Sequence, residues 1–418
     1  MKNNYICSVD LGSSKLAGMV CIFNKTGQII DIVMDVLPSK GIRNGKIFDF
    51  QELSLVLEDL LKKLQKSSGL KIKGFFTNIS ANEVRTGHSR AIMPLAERGS
   101  RVITDTDLRR INEQAKILGT SLEEEIIHQI SHGYIVDGQN YCLNPSQLYA
   151  HRLEVDLYLV YARLSYIQNI SRLASQLGFS IKGIYYCGLA NQQIIFGNDK
   201  RHTLDIFCDI GADTVELTVF KDGILQGIAA LVGGGDNITE AISKELNIPL
   251  SLAQEIKQSW AVIGNYQDLP EEKEVMVKRA NTYVAVKQRE ISRIATEQAS
   301  RLCQAIKEAL DKLSLNSAID NLVIAGRTVL QEGFLEKLEE LTGITVKLAR
   351  ISELPFMNKE IGNQLTSSSS KALTYLNALG LSIYAWEVMQ REAFKIIPPL
   401  KSLAGVIHKV KEIYQQYF

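Results

Sequence analysis

Two segments of this chain share one pattern, in which an apolar strand ends in an aspartate, a short glycine turn follows, and a second strand runs back. The first segment covers residues 5–23 and the second covers residues 204–220. Their aspartates, Asp10 and Asp209, lie 199 positions apart. Self-similarity at a fixed separation is typical of chains built from repeated units, so the sequence predicts two related halves.

The two turns, at 10–15 and 209–214, carry residues suited to binding phosphate. Glycine lets the backbone approach a ligand closely, and successive backbone N–H groups can cradle phosphate oxygens with help from serine and threonine hydroxyls. An aspartate at the strand end can hold Mg²⁺, usually through water, because magnesium dehydrates reluctantly. Either turn alone is more typical of an ordinary tight hairpin. The matched pair favours two facing turns that clamp the phosphates of one nucleotide between two domains.

Two further glycine clusters follow apolar strands. The run 233–235 precedes a segment with helical periodicity, and the N-terminus of a helix favours anions. Gly326 follows an apolar strand at 321–325 and precedes a predicted helix from about 330 to 341. Each cluster alone is weak evidence, since glycine at a strand–helix junction is usually just a tight connection.

Charge and composition disfavour several classes of protein. The chain has 47 Lys and Arg against 46 Asp and Glu, for a net charge of +1, whereas a general nucleic-acid binder would carry a clear basic excess. Its 418 residues are 45% hydrophobic and 22% charged, as in ordinary globular proteins. No apolar stretch reaches the roughly 18 residues of a membrane span, and Asp10 interrupts the first apolar run where a signal peptide would need continuity. Six cysteines without a Cys-x-x-Cys pair favour a reduced, cytoplasmic protein.

The last residues, 400–418, follow Pro398 and Pro399, which break a helix. Their apolar positions recur at i, i+3, i+4 and i+7, which predicts an amphipathic helix with lysines on or beside the other face. Such a helix can bury its apolar face in a membrane interface, and each lysine near an anionic surface adds about 1 kcal/mol. The alternative, a helix that packs back on its own domain, is commoner for amphipathic helices in general. The membrane interpretation assigns the contacts to Leu400, Lys401, Leu403, Val406, Ile407, Lys409, Val410, Lys411, Ile413, Tyr414, Tyr417 and Phe418.

The motifs at 10–15, 209–214 and 325–328 resemble the two phosphate loops and the adenosine loop of the actin/Hsp70/sugar-kinase superfamily. Residues 255–257 resemble the helix that flanks the nucleotide base, and residues 41–49 are similar to a segment that follows the first hairpin. Within the superfamily, the chain is similar over nearly its whole length to the FtsA family of bacterial cell-division proteins.

A small inserted domain separates that family from actin, chaperones and sugar kinases, and residues 84–163 resemble it. Thr104 and Asp107 are placed to satisfy the first N–H groups of a helix in this segment. His128 and His132 have the i, i+4 spacing of a metal site on a helix. No third ligand follows at a sensible spacing, so we interpret them as solvated or capping histidines.

The resemblance implies an α/β actin-like ATPase fold, with two duplicated lobes around a nucleotide cleft, a small inserted α+β domain and a C-terminal amphipathic helix. The implied units are a first lobe at 1–83 and 164–195, the inserted domain at 84–163, a second lobe at 196–386 with a subdomain at about 244–315, a final helix at 371–386 that packs back on the first lobe, a short linker at 387–399 and the membrane-targeting helix at 400–418.

The resemblance also implies the ligands and their residues. It places ATP on Gly12, Ser13, Ser14, Lys15, Gly211, Ala212, Thr214, Gly234, Gly235, Glu255, Lys257, Gly326, Arg327 and Thr328, and Mg²⁺, through water, on Asp10 and Asp209. Asp213 and Arg327 stand where the family usually has glycine. A carboxylate near phosphates repels them unless Mg²⁺ bridges, and the guanidinium could stack on the base or obstruct it. We therefore expect nucleotide binding with at most weak ATPase activity, and no catalytic residue is predicted.

The implied function is that of an ATP-binding, actin-like protein that polymerises and anchors the tubulin-like protein FtsZ to the inner membrane in cell division. The expected location is the cytoplasmic face of the inner membrane at the septum. The expected partners are FtsZ, further copies of the chain, an anionic membrane surface and later division proteins bound through the inserted domain, with no nucleic acid. Two alternatives stay open, a sugar or small-molecule kinase of the same fold and an inner-membrane pilus or secretion scaffold of the same superfamily.

Overall fold

The structure is a computed structural model, and it describes residues 4–97, 99–197, 203–279, 282–314, 318–351 and 357–396. The predicted membrane helix at 400–418 lies outside the described residues. The strands are β1 (Asn4–Leu11), β2 (Lys15–Phe23), β3 (Ile29–Pro38), β4 (Ile42–Arg43), β5 (Lys46–Ile47), β6 (Gly74–Ile79), β7 (Val84–Pro94), β8 (Arg101–Val102), β9 (Glu124–Val136), β10 (Asn140–Cys142), β11 (Tyr149–Ala150), β12 (Arg152–Arg163), β13 (Ser180–Tyr186), β14 (Leu204–Ile210), β15 (Thr214–Lys221), β16 (Ile224–Val232), β17 (Glu274–Arg279), β18 (Thr282–Lys287), β19 (Asn321–Ala325) and β20 (Val346–Leu348). The helices are α1 (Phe50–Ser68), α2 (Asp105–Gly119), α3 (Leu164–Gln176), α4 (Cys187–Ala190), α5 (Gln192–Phe196), α6 (Gly235–Leu246), α7 (Leu250–Trp260), α8 (Gln288–Ser314), α9 (Phe334–Thr342), α10 (Lys359–Leu365) and α11 (Ser369–Ile396).

Two five-stranded sheets have the same architecture. The first has the strand order β3-β2-β1-β6-β13 and the second has the order β16-β15-β14-β19-β20. In each sheet, the first three strands pair antiparallel and the remaining pairs are parallel. The shared topology confirms the predicted fold class of two duplicated α/β lobes, and it places Asp10 and Asp209 at matching ends of the central strands β1 and β14.

The first sheet is covered by helices on both faces. Helix α1 packs against one face, where its Leu60 and Leu64 lie against Gly18 of β2, and α11 packs against β1 and β2. A sheet buried on both faces needs nearly continuous apolar strands, and all residues of β2 after Lys15 are buried. The side chain of Asp49 accepts hydrogen bonds from the first N–H groups of α1, which fixes where this helix begins.

The inserted segment forms its own small sheet, with the order β10-β9-β12-β7, and α2 covers one face of it. Thr104 and Asp107 form a reciprocal capping box at the start of α2, as their spacing predicted. Ile111 and Ala115 of this helix are fully buried against the sheet. This packing gives the segment a hydrophobic core separate from that of the two lobes.

The two histidines of this segment lie on β9, where positions i and i+4 share one face. Our solvated or capping interpretation is wrong for His128, which is buried and accepts a hydrogen bond from the backbone N–H of Tyr186 at Nε2 (2.8 Å). His132 bonds through Nε2 to the carbonyl oxygen of Leu225 on β16 (2.9 Å). The pair therefore joins the inserted sheet to both lobes.

Helix α11 extends further than the sequence predicted. Ser8 donates to the carbonyl oxygen of Ala378 (2.6 Å), and the ring of Trp386 stacks on Phe23 with centroids 4.3 Å apart, so α11 lies on the first lobe. The predicted linker at 387–399 is wrong over 387–396, which are helical. The physical reason is that residues 387–396 contain no glycine or proline, and the first helix-breaking residues come after them. Within the described residues, every helix falls short of the length or the apolar content that a membrane span requires.

Candidate functional site

The two glycine turns face one cleft between the lobes and are built alike. In the first turn, residues 12–15, the N–H of Gly12 donates to the carbonyl of Lys15 (3.1 Å), and in the second turn, residues 211–214, the N–H of Gly211 donates to the carbonyl of Thr214 (2.9 Å). A Cβ atom at Gly12 or Gly211 would lie 2.9 or 3.0 Å from that carbonyl oxygen. Both turns therefore depend on glycine for the same close contact.

The cleft brings together most of the predicted ligand residues. It is lined by Asp10, Gly12, Ser13, Ser14, Lys15, Asp209, Gly211, Ala212, Thr214, Gly235, Lys257, Gly326, Arg327 and Thr328. Their contact with a nucleotide remains a prediction. Two predicted residues, Gly234 and Glu255, do not line the cleft.

Gly234 lies behind the second turn instead of facing the cleft. A Cβ atom there would lie 2.5 Å from the carbonyl oxygen of Gly211 and 2.7 Å from that of Ala212. Its N–H donates to the side chain of Asn237 in the first turn of α6 (2.7 Å). Gly234 thus serves the packing of the second turn against α6.

Helix α7 presents a different face to the cleft than the sequence predicted. Gln254, Lys257 and Gln258 line the cleft at i, i+3 and i+4, which leaves Glu255 exposed on another face. Lys257 is buried, and its ammonium donates to the carbonyl oxygen of Gly235 (2.8 Å) and to the hydroxyl of Thr239 (2.7 Å). Burial lowers the pKa of Lys257 to about 8, although Asp236 opposes the shift.

Asp10 is buried at the end of β1, where the side-chain amide of Asn78 donates to it (2.8 Å). The ammonium of Lys15 lies 3.5 Å from its other oxygen. Burial raises the pKa of Asp10, and the charge of Lys15 opposes that shift. The site therefore holds a carboxylate that lacks full compensation, which is an environment that favours a cationic ligand.

Asp209 is the matching carboxylate of the second lobe, and the amide of Asn377 on α11 donates to it (3.1 Å). Asn377 also accepts a hydrogen bond from Asn191 (2.6 Å). Burial raises the pKa of Asp209, and the nearby charge of Asp10 raises it further. Helix α11, which packs on the first lobe, thus also holds the aspartate of the second.

Glu216 is a cleft carboxylate that the sequence analysis missed. It lies opposite Asp209 in the β14–β15 register and accepts hydrogen bonds from the hydroxyl of Ser80 (2.7 Å) and the N–H of Ala81 (2.9 Å) on the first lobe. Burial, with smaller contributions from Asp209 and Asp10, raises the pKa of Glu216 to about 7. The hairpin pairing would have revealed it, since directly opposed residues share one face of a sheet.

Asp213 connects the second turn to the first lobe. Its carboxylate accepts the backbone N–H of Asn44 (2.5 Å), at the tip of the β4–β5 hairpin. Asn44 and Gly45 have φ of 49° and 72°, as a two-residue hairpin turn of this hand requires. The other oxygen of Asp213 is buried without a hydrogen-bond partner among the described residues. The second turn keeps its Gly211–Thr214 hydrogen bond beside this carboxylate.

Gly326 sets the direction of the chain after β19. Its φ is +95°, and a Cβ atom there would lie 2.0 Å from the carbonyl oxygen of Ile210, so a side chain cannot be accommodated. A single 3-10 turn follows at Arg327–Leu330. Helix α9 begins only at Phe334, four residues later than predicted, because the backbone of Gly333 has a positive φ that a helix cannot contain. Thr328 donates to the carbonyl oxygen of Gly211 (3.1 Å), which ties this segment to the second turn.

Two family models match the chain. The model described as the SHS2 domain inserted in FtsA matches residues 81–161, and the model of cell division protein FtsA matches residues 206–378. Together they cover more than half of the chain.

Curated relatives match over most of their length. The cell division protein FtsA of Pseudomonas aeruginosa is 22% identical over 384 residues, which are 88% of this chain and 88% of the relative. The cell division protein FtsA of Borreliella burgdorferi is 24% identical over 391 residues, which are 93% of this chain and 92% of the relative.

Solved structures share the fold. The PilM–PilN type IV pilus biogenesis complex matches with a TM-score of 0.61 at 12% identity, covering 91% of this chain and 98% of that one. MreB 5 of Spiroplasma citri bound to AMPPNP matches with a TM-score of 0.53 at 11% identity, covering 95% and 100%. At such low identity, these similarities establish the actin-like fold alone.

Proposed function

The chain belongs to the FtsA family of cell-division proteins, and from this premise we propose that it is an ATP-binding, actin-like protein that polymerises and links the division machinery to the membrane. The observation that carries the proposal is the pair of matching glycine turns that face each other across one cleft. Two such turns supply backbone N–H groups from both sides, so that one polyphosphate can bridge the lobes. Ligand binding is thereby coupled to the relative position of the lobes.

The nucleotide that we propose is ATP with Mg²⁺. Asp10 and Asp209 fit the ion, because they are carboxylates at the strand ends whose charges are poorly compensated and repel each other. They would hold Mg²⁺ through its water ligands, and the bound ion would offset the charge of the phosphates. We propose that turnover is weak at most, because the carboxylate of Asp213 adds negative charge beside the second turn.

The proposed assembly has three further parts. Copies of the chain associate head to tail, the segment 400–418 attaches the polymer to the anionic cytoplasmic face of the inner membrane, and the polymer holds FtsZ at the septum. The inserted domain, with its separate core, is the proposed site for later division proteins. The family match supports this role over a sugar or small-molecule kinase and over a pilus or secretion scaffold.

Co-sedimentation with anionic vesicles tests the proposal. The full chain and a variant that ends at Pro398 are compared, each with and without Mg-ATP. We expect pelleting that requires the tail and increases with Mg-ATP, because multivalent attachment strengthens weak membrane binding. Pelleting that ignores ATP would contradict the nucleotide-linked polymer, and absence of pelleting would contradict the membrane tether.

A further inference from the structure

The guanidinium of Arg327 reaches across the cleft to the first turn. It follows Gly326 at the end of β19 in the second lobe, yet its Nη2 donates to the hydroxyl of Ser14 in the first lobe (3.2 Å). The contact joins residues 313 positions apart. The guanidinium therefore lies beside the first turn, and it is also close enough for its charge to act on Asp236 of α6 and Lys257 of α7.

Arg327 differs from the other cations of the cleft in what its charge contacts. Lys15 lies beside Asp10 and donates to the carbonyl oxygen of Thr374, and Lys257 is buried with two oxygen acceptors. Among the described residues, Arg327 has a single hydrogen bond, to a neutral hydroxyl, and no carboxylate within ion-pair distance. Its side chain is exposed, so it can adjust its position at little cost in desolvation.

The charges that line the cleft favour a role for this cation in phosphate binding. The described lining contains Asp10, Asp209, Asp213, Glu216 and Asp236 against Lys15, Lys257 and Arg327, so carboxylates outnumber cations before any phosphate enters. Arginine offers a planar fork of donors that matches phosphate oxygens, and charge-assisted hydrogen bonds of this kind are about twice as strong as neutral ones. Exchanging the Ser14 hydroxyl for a phosphate oxygen would give this guanidinium a charged hydrogen-bond acceptor, in addition to its longer-range attraction to Asp236.

We propose that Arg327 is a phosphate-binding residue that acts across the lobes, pairing with the β-phosphate of the bound nucleotide at the first turn. The proposal rests on the proposed nucleotide-binding function. It makes the site selective for nucleoside di- and triphosphates over monophosphates and nucleosides. It also makes the phosphate a third component of an Arg327–ligand–Ser14 connection, so that the ligand helps to hold the lobes together.

Titration calorimetry with ATP, ADP, AMP and adenosine, in the presence of Mg²⁺, tests this role. For Arg327→Gln we expect about tenfold weaker binding of ATP and ADP, and AMP and adenosine affinities within about twofold of those of the unsubstituted chain. Arg327→Lys keeps the charge without the fork and should recover part of the loss for ATP. Arg109→Gln, on the exposed side of the inserted domain's helix, is the matched control and should change no affinity.

The outcomes separate the two proposals. Equal weakening for adenosine and ATP would place Arg327 on the base and overturn the phosphate role. Tighter binding of all ligands by Arg327→Gln would show an obstructing side chain, and unchanged ATP and ADP affinities would also overturn the inference. If the unsubstituted chain binds none of the four ligands, the proposed function itself fails, and the role of Arg327 fails with it. Unfolding curves of the variants should match that of the unsubstituted chain, since the side chain is exposed.

Discussion

Removing the charge of Glu216 should stabilise this protein above neutral pH. The carboxylate lies between the lobes, where it accepts hydrogen bonds from Ser80 and Ala81 on a single oxygen. Burial opposes its ionisation, and the charges of Asp209 and Asp10 add to that opposition. In Glu216→Gln the amide oxygen can still accept both hydrogen bonds, so the substitution removes mainly the buried charge.

The magnitude follows from the difference between the pKa of Glu216 in the folded protein, about 7, and its usual value of 4.5. Because the folded pKa is the higher one, the folded protein binds the proton more tightly, and stability falls as pH rises from 4.5 through 7. The full difference corresponds to about 3 kcal/mol of unfolding free energy. As pH rises, the unsubstituted chain loses this unfolding free energy, whereas Glu216→Gln does not. At pH 5 the two proteins should differ little, and at pH 8 the variant should be more stable by about 3 kcal/mol.

Urea unfolding between pH 5 and pH 8 measures this difference, provided that the two proteins share one m-value. Glu336→Gln, which removes an exposed carboxylate on α9, is the matched control and should show a constant offset. A stability difference between Glu216→Gln and the unsubstituted chain that stays flat with pH would refute the reasoning. A variant that is less stable at pH 8 would show that the carboxylate stabilises the contact between the lobes.

Three further predictions concern single residues of the cleft and the inserted domain. Asp213→Asn keeps an acceptor for the hairpin tip but removes a charge beside the proposed phosphate site, so ATP affinity measured without Mg²⁺ should rise about tenfold. Unchanged affinity would contradict the proposed repulsion between Asp213 and the phosphates. In Gly343→Ala the new Cβ contacts no neighbour, so the unfolding free energy should fall by about 1 kcal/mol because of the positive φ alone. In Gly326→Ala the new Cβ meets a strand carbonyl, so the unfolding free energy should fall further and nucleotide binding should weaken. Equal losses of unfolding free energy in the two variants would contradict this contact. His128→Ala leaves the buried N–H of Tyr186 unpaired and should cost about 1–3 kcal/mol at pH 7. Burial lowers the pKa of His128 to about 3, so the unsubstituted chain loses stability as pH falls below 6.5. The difference in unfolding free energy between the unsubstituted chain and His128→Ala should therefore narrow at pH 5. A difference that does not change with pH would contradict a buried neutral imidazole.

Short-range patterns in the sequence predicted the parts of the fold that depend on local chemistry. The two aspartate–glycine turns revealed the duplicated sheets because each turn needs a glycine for one specific backbone contact. The helix cap at Thr104 and Asp107 was found for the same reason, since both partners lie within one helical turn. Such features depend only on residues that are close together in the sequence.

Features that depend on long-range packing were missed or misplaced. Glu216 joins the cleft through hydrogen bonds to residues 135 and 136 positions away, and Asn377 reaches Asp209 from 168 positions away. The error at Glu255 has another cause, since the rotation of α7 depends on which face packs against α6 and α8. His128 looked polar and solvated because its buried partner, the N–H of Tyr186, lies 58 positions away.

The most direct test of the central claim, that turns from both lobes bind one nucleotide, is calorimetric titration of Mg-ATP into three glycine variants. Gly12→Ala and Gly211→Ala place a methyl group 2.9 and 3.0 Å from the carbonyl oxygens that close the two turns, whereas Gly362→Ala on α10 makes only an ordinary contact at 3.8 Å. We expect one binding site per chain, with an affinity that is at least about tenfold weaker in both turn variants and unchanged in Gly362→Ala. Normal affinity in either turn variant, with the fold intact, would show that one lobe binds the ligand alone and would contradict a nucleotide site shared by both lobes.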